Sequence, residues 1–177
     1  MSKNNKIAFC GVVSALCIAL MFLGSILPFF QYTIPAITGV LILFVMIETS
    51  VSWAIMSFTT VSVLSMLICP DKEPVLLFVL ILGYYPILKF YIEKIKIKFF
   101  WMPLKLLLFN AAAILYFTIA TKVLKVPIEE FQAFGFSVAW IILIIGNVTF
   151  FLYDFALRGV AIKYLCVIHP KVKKIIK

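Results

Sequence analysis

Between Ile34 and Cys69 the sequence carries a single charge, Glu48, which sits beside Thr49, Ser50 and Ser52. As one helix this stretch would be about 54 Å long at 1.5 Å per residue. The hydrocarbon layer of a bilayer is only about 30 Å thick. The stretch therefore predicts two short membrane spans with a tight turn near Glu48 to Ser52. Similar apolar runs flank it, bounded by polar or proline-containing breaks such as Cys69-Pro70-Asp71-Lys72-Glu73-Pro74. The expectation is an all-α, polytopic membrane protein: a six-transmembrane-helix bundle with spans near 7–27, 34–49, 52–68, 75–90, 104–121 and 134–157, followed by a basic tail, 158–177. One integral membrane domain then accounts for residues 1–177.

Composition agrees. The chain is 65% hydrophobic and 13% charged, whereas a soluble domain is nearer half apolar and a quarter charged. Within 177 residues no soluble core is large enough to hide that much apolar surface. Nor does the span count leave room for a separate catalytic domain. Lys3 and Lys6 ahead of the run from Ile7 to Leu27 look at first like a signal peptide. The run is too long for one, however, and no small-x-small cleavage site follows, so it reads as a retained first span.

Charge orients the layout. With both termini in the cytoplasm, 13 of the 16 Lys and Arg fall on the inner side, and only Lys72, Lys122 and Lys125 fall outside. Four of the seven acidic residues, Asp71, Glu73, Glu129 and Glu130, lie in outer loops. This is the bias of a multi-pass protein of the cell membrane, in contact with lipid, and it accounts for the net charge of +9 without a nucleic-acid partner. Cys10, Cys17, Cys69 and Cys166 form no CxxC pair and His169 stands alone, so neither a metal site nor a disulfide framework is expected. There is no HExxH or GxSxG motif. The expectation is a protein that is not an enzyme and carries no cofactor.

Several residues invite a functional reading. Gly11, Ala15 and Ala19 recur every four residues and leave one face of the first helix without side-chain bulk. In lipid such faces drive helix contact, either inside the bundle or with another protein. Asn110 and Asn147 are polar groups within spans, suited to a hydrogen bond between helices or to a ligand. Tyr116 and Trp140 lie on outer halves of spans, where membrane-interface aromatics collect. Gly83-Tyr84-Tyr85-Pro86 predicts a kink that frees carbonyls for a partner or ligand. The loop Pro28-Phe-Phe-Gln31-Tyr32-Thr-Ile-Pro35 suits a lid over an outward pocket or an ordinary hairpin. Asp154 and Arg158, one helical turn apart, predict a simple i,i+4 ion pair, and Glu48 is expected at the cytoplasmic turn rather than in the core.

Together these features resemble the substrate-binding S components of energy-coupling-factor (ECF) transporters. The basic amino terminus leads into an Ala15-x-x-x-Ala19 step, then a proline-bounded loop, two short spans joined by a tight turn, and a basic inner loop between spans 4 and 5. The resemblance covers nearly the whole chain as architecture; the Ala-x-x-x-Ala step is its local motif. It implies a six-helix bundle that binds a vitamin or other small-molecule micronutrient on its outer face. Gly11, Ala15 and Ala19 would dock on a transmembrane coupling subunit served by ATP-binding subunits. Gln31 and Tyr32 would sit in the lid, and Tyr84, Tyr116, Trp140 and Asn147 would line the pocket, with Asn110 deeper. The absence of charge on the outer halves of spans 4 to 6 points to a neutral or weakly polar ligand. The competing expectation is a non-catalytic membrane scaffold resembling MreD, which would use the Gly11-Ala15-Ala19 face for assembly and bind no small molecule.

Overall fold

Helix begins almost at the amino terminus, where the Ser2 side chain accepts the Asn5 N–H at 3.2 Å and so satisfies one of the otherwise orphaned first-turn donors. A computed structural model describes residues 2–95, 100–122 and 138–169; within the last segment, side chains are described from 143 onward except at 168. The helices are α1 (Lys3–Ile26), α2 (Thr33–Glu48), α3 (Val51–Ile68), α4 (Glu73–Leu77), α5 (Tyr85–Ile92), α6 (Trp101–Lys122) and α7 (Val138–Lys163). No strand occurs among the described residues.

Residues 34–69 divide into α2 and α3 at Thr49 and Ser50. Ser50 adopts an extended backbone (φ −174°), which no helix can continue through. Among the described residues five helical segments are long and apolar enough to cross a membrane: Lys3–Ile26, Val51–Ile68, Glu73–Ile92, Trp101–Lys122 and Leu143–Val167. α2 is shorter, 16 residues, or about 24 Å. The chain is thus all-α and compatible with a multi-pass membrane protein.

The segment expected as a fourth span is helical but uneven. A π-helical turn, Phe78–Leu82, separates α4 from α5, and Pro86 lies in the first turn of α5, where its missing N–H is harmless. Gly83 is a requirement of packing here. A Cβ at this position would come within 2.6 Å of the Phe78 ring and 2.8 Å of the Phe58 ring. At the far end of the chain the helix does not stop near Leu157. It continues through Lys163, and a second π-helical turn spans Tyr164–Ile168.

The chain runs back and forth between two ends of the bundle, with α4 and α5 continuing in one direction as a single segment. One end, here the proline end, brings Gln31, Tyr32, Asp71, Glu73 and Tyr116 together. The other, the basic end, gathers Glu48, Lys89, Glu93, Lys105, Asp154 and Tyr164. α2 sits centrally, against α1, α3, α4, α5 and α7. The main core joins Cys17 and Met21 of α1, Ile42 and Val45 of α2, Ala54 and Val61 of α3, and Val75 and Phe78 of the next segment. A smaller core joins Leu43, Tyr85, Phe150 and Leu157. Many large apolar side chains on the periphery stay exposed, among them Val12, Leu67, Leu107, Ile144 and Phe155. A surface of this kind suits lipid as solvent.

Candidate functional site

At the proline end the loop after α1 is tied to the loop before α4. The Gln31 amide donates to Asp71 Oδ2 at 3.0 Å, and the Tyr32 hydroxyl donates to Glu73 Oε1 at 3.4 Å. The Tyr116 hydroxyl reaches the same Glu73 oxygen from α6 at 3.1 Å. Asp71 Oδ1 accepts the Glu73 N–H at 2.9 Å, fixing the start of α4. Lys72 turns away from both carboxylates. Its ammonium donates to the Met66 carbonyl at 2.7 Å and to that of Cys69, closing the carboxyl end of α3 as basic side chains there commonly do. Beside it, burial pushes the Cys69 thiol up from its ordinary value, so this residue acts as a small apolar group.

This cluster unites three of the site residues expected from sequence: Gln31, Tyr32 and Tyr116. It also corrects the expectation of uncharged outer halves, because Glu73 at the head of the fourth span meets Tyr116 directly. The other expected residues lie apart. Asn110 and Asn147 bond to each other reciprocally, at 3.2 and 3.0 Å. Each also donates to a carbonyl one turn back, Leu106 at 2.8 Å and Leu143 at 2.7 Å. Both amides therefore serve a contact between α6 and α7. Tyr84 packs edge-on against Phe58, ring centroids 6.4 Å apart. The Trp140 side chain lies outside the described residues.

Of the carbonyls expected to be freed near Gly83, that of Leu82 is not left open. Tyr153 of α7 donates to the Leu82 carbonyl at 3.2 Å. Gly39 makes room for this contact: a Cβ there would collide with the Tyr153 hydroxyl and come within 2.6 Å of the Leu82 oxygen. Neither Gly39 nor Tyr153 was legible as a pair, since 114 positions separate them and neither belongs to a motif.

The basic end departs further from expectation. Asp154 does not pair with Arg158, which is exposed. It accepts instead from Lys89 at 2.7 Å, from Lys105 at 3.1 Å and from the Tyr85 hydroxyl. Glu93 completes the group, 2.9 Å from Lys105 and 3.8 Å from Lys89. The two lysines are 8% and 4% exposed. Lysines counted from sequence only toward the basic inner side are thus buried between α5, α6 and α7. The correction has a simple cause: helix spacing ranks neighbours along one helix only, and Asp154 faces inward while Arg158 faces out. Glu48 lies at the turn as expected, but its side chain is only 4% exposed, covered by the chain beyond α7. The Tyr164 hydroxyl donates to it at 2.9 Å, His169 Nδ1 lies at 2.9 Å from the same oxygen, and Tyr164 stacks on Phe44.

The small-residue face of α1 points away from the bundle. Gly11, Ala15 and Ala19 are all exposed, and α1 packs inward through Cys10, Ser14, Cys17 and Met21. A Cβ added to Gly11 would meet nothing within 4 Å. Between this face and α3 lies a groove of about 340 Å³, lined by Gly11, Ala15 and Ile18 on one side and Trp53, Met56 and Thr60 on the other. Among the described residues no group of three or more His, Cys, Asp and Glu could hold a metal ion. No protein-family model, no curated protein and no solved structure matches the chain.

Proposed function

We propose that the chain is the substrate-binding membrane subunit of an ECF-type uptake transporter for a vitamin or other small micronutrient, working with a transmembrane coupling subunit and ATP-binding subunits. In this reading the bundle crosses the cell membrane six times, with α2 as a short span and both termini in the cytoplasm. The basic end then faces inward and the proline end outward. The observation that carries the reading is the exposure of Gly11, Ala15 and Ala19 beside the α1–α3 groove. Internal packing does not use this face, and close backbone approach by another helix is what such a face permits. A second support is the lid-like loop, whose Gln31 and Tyr32 bond to Asp71 and Glu73 rather than to its own helix ends.

The test is affinity purification of the tagged chain from its own membranes. Recovery of an ATPase and a coupling protein, lost in Ala15→Leu or Ala19→Leu, is the expected result. Retained assembly in both variants would remove the docking role of α1. The scaffold reading draws on a different observation: Asn110, Asn147 and Tyr84 are taken up by packing within the bundle. Mass spectrometry of small molecules that co-purify separates the two readings. A stoichiometric ligand supports the transporter subunit, and partner proteins without any ligand support the scaffold.

A further inference from the structure

Just past α5 an exposed lysine, with no carboxylate paired to it among the described residues, lies beside an apolar groove. Lys94 is exposed and holds its ammonium 4.3 Å from the centre of the Phe90 ring and 5.8 Å from that of Tyr91. Its neighbour Glu93 does not neutralise it, because that carboxylate points inward to Lys105 at 2.9 Å. Ile95, the next residue, begins a groove of about 410 Å³ whose other walls are Phe100, Pro103, Leu104 and Leu107. Those four α6-side residues follow one helix face, so the groove runs away from Lys94 along the apolar surface of the bundle. The Trp101 indole donates to the Ile95 carbonyl at 2.9 Å and fixes the turn at the mouth of the groove. Phe90, Tyr91 and Phe100 are exposed around it, the placement aromatic side chains take at the boundary between headgroups and acyl chains.

A cation at headgroup level with a wholly apolar channel leading from it complements one kind of molecule. We infer that Lys94 and the adjoining groove form a binding site for an anionic phospholipid, with Lys94 holding the phosphate and the groove lined by Ile95, Phe100, Pro103, Leu104 and Leu107 holding an acyl chain. The cation–π contact positions the ammonium without consuming its charge. The site is independent of the transport reading and of the direction in which the bundle is inserted.

Native mass spectrometry of the full chain in detergent tests this, titrating phosphatidylglycerol and phosphatidylcholine of identical acyl chains. Wild type is expected to retain phosphatidylglycerol several-fold more tightly than phosphatidylcholine. Lys94→Gln should weaken phosphatidylglycerol retention about fivefold, the factor one lysine supplies near an anionic surface, and weaken phosphatidylcholine, whose phosphate is offset by its own choline, by clearly less. Leu107→Trp, at an exposed position, should fill the groove and weaken both lipids. Equal retention of the two lipids by wild type would overturn the inference. So would an equal loss in Lys163→Gln, which removes a charge elsewhere at the same end and would mark diffuse attraction. Full displacement of the lipid by inorganic phosphate would overturn it too, because the site would then be one for the phosphate alone.

Discussion

Removal of the Asp154 carboxylate is the perturbation whose consequence the structure specifies best. Lys89 and Lys105 supply two positive charges and Glu93 and Asp154 two negative ones, so the buried group is neutral. Asp154→Asn leaves it with a net charge of +1. At an effective dielectric of 20, each lysine at 2.7 or 3.1 Å from the carboxylate gains about 5–6 kcal/mol of gross attraction. Desolvation offsets most of that gain while the group is intact, but the desolvation of the two ammonium groups persists once the carboxylate is gone. Removing one partner of a buried pair typically costs about 3–5 kcal/mol. The Asp154 side chain is 19% exposed, so water relieves part of the loss and the lower figure, about 3 kcal/mol, is expected.

Denaturant unfolding in mixed micelles measures this loss directly. Asp154→Asn should lower the unfolding free energy by about 3 kcal/mol, and Arg158→Gln should change it by less than about 0.5 kcal/mol, as for an ordinary surface substitution. The quadruple variant Lys89→Met, Glu93→Met, Lys105→Met, Asp154→Leu should recover most of the loss, because apolar replacement of a whole buried ionic group is often neutral or better. The reasoning is refuted if Arg158→Gln is as damaging as Asp154→Asn. That outcome would restore the pairing along α7 that helix spacing alone suggests. A quadruple variant less stable than Asp154→Asn would equally show that the lysines are not a liability when unpaired.

Two further substitutions probe the bundle interior. Gly39→Ala should destabilise by about 1–3 kcal/mol through overpacking, and Tyr153→Phe should relieve part of this by removing the hydroxyl that the new methyl meets; additive losses in the double variant, read from unfolding midpoints, would contradict that contact. The reciprocal Asn110–Asn147 bonds should show a coupling of about 0.6 kcal/mol, at most about 1.7, in a double-mutant cycle with alanine; zero coupling would mean that the two amides do not share the contact.

The sequence is most informative where one dimension suffices. Run lengths locate the helices, since a bilayer limits how long an uninterrupted apolar helix can usefully be, and the structure does break the chain at Thr49–Ser50 and turn π-helical just ahead of Gly83. The smallness of Gly11, Ala15 and Ala19 is equally visible, but whether they face a neighbour is not: α1 has small residues on its inner face as well, Cys10, Ser14 and Cys17. Partner choice among charges lies further out of reach. Lys89, Glu93, Lys105 and Asp154 come from three helices, and only their packing converts four scattered charges into one group. In the same way Glu73 reads as a loop charge until α6 brings Tyr116 to it.

The two ends of the bundle differ in what would have to break for either to open. Lifting the loop after α1 at the proline end requires the Gln31–Asp71 and Tyr32–Glu73 bonds to part. Hydrogen bonds to charged groups contribute about 1.5–3 kcal/mol each when sheltered, and less here, because Tyr32 is 61% exposed and its bond is long. These two bonds together contribute about 2 kcal/mol, a cost of the size at which a ligand can draw on a minor state. At the basic end, separating α7 from α5 and α6 would strand buried lysines at about 3 kcal/mol or more, and would also free Tyr164 and His169 from Glu48. Compared with the buried ionic group of the basic end, the weaker of the described ties are those at the proline end. Under the proposed function, access to a ligand site then belongs at that end, with the ionic group at the opposite end holding the helices together while it happens.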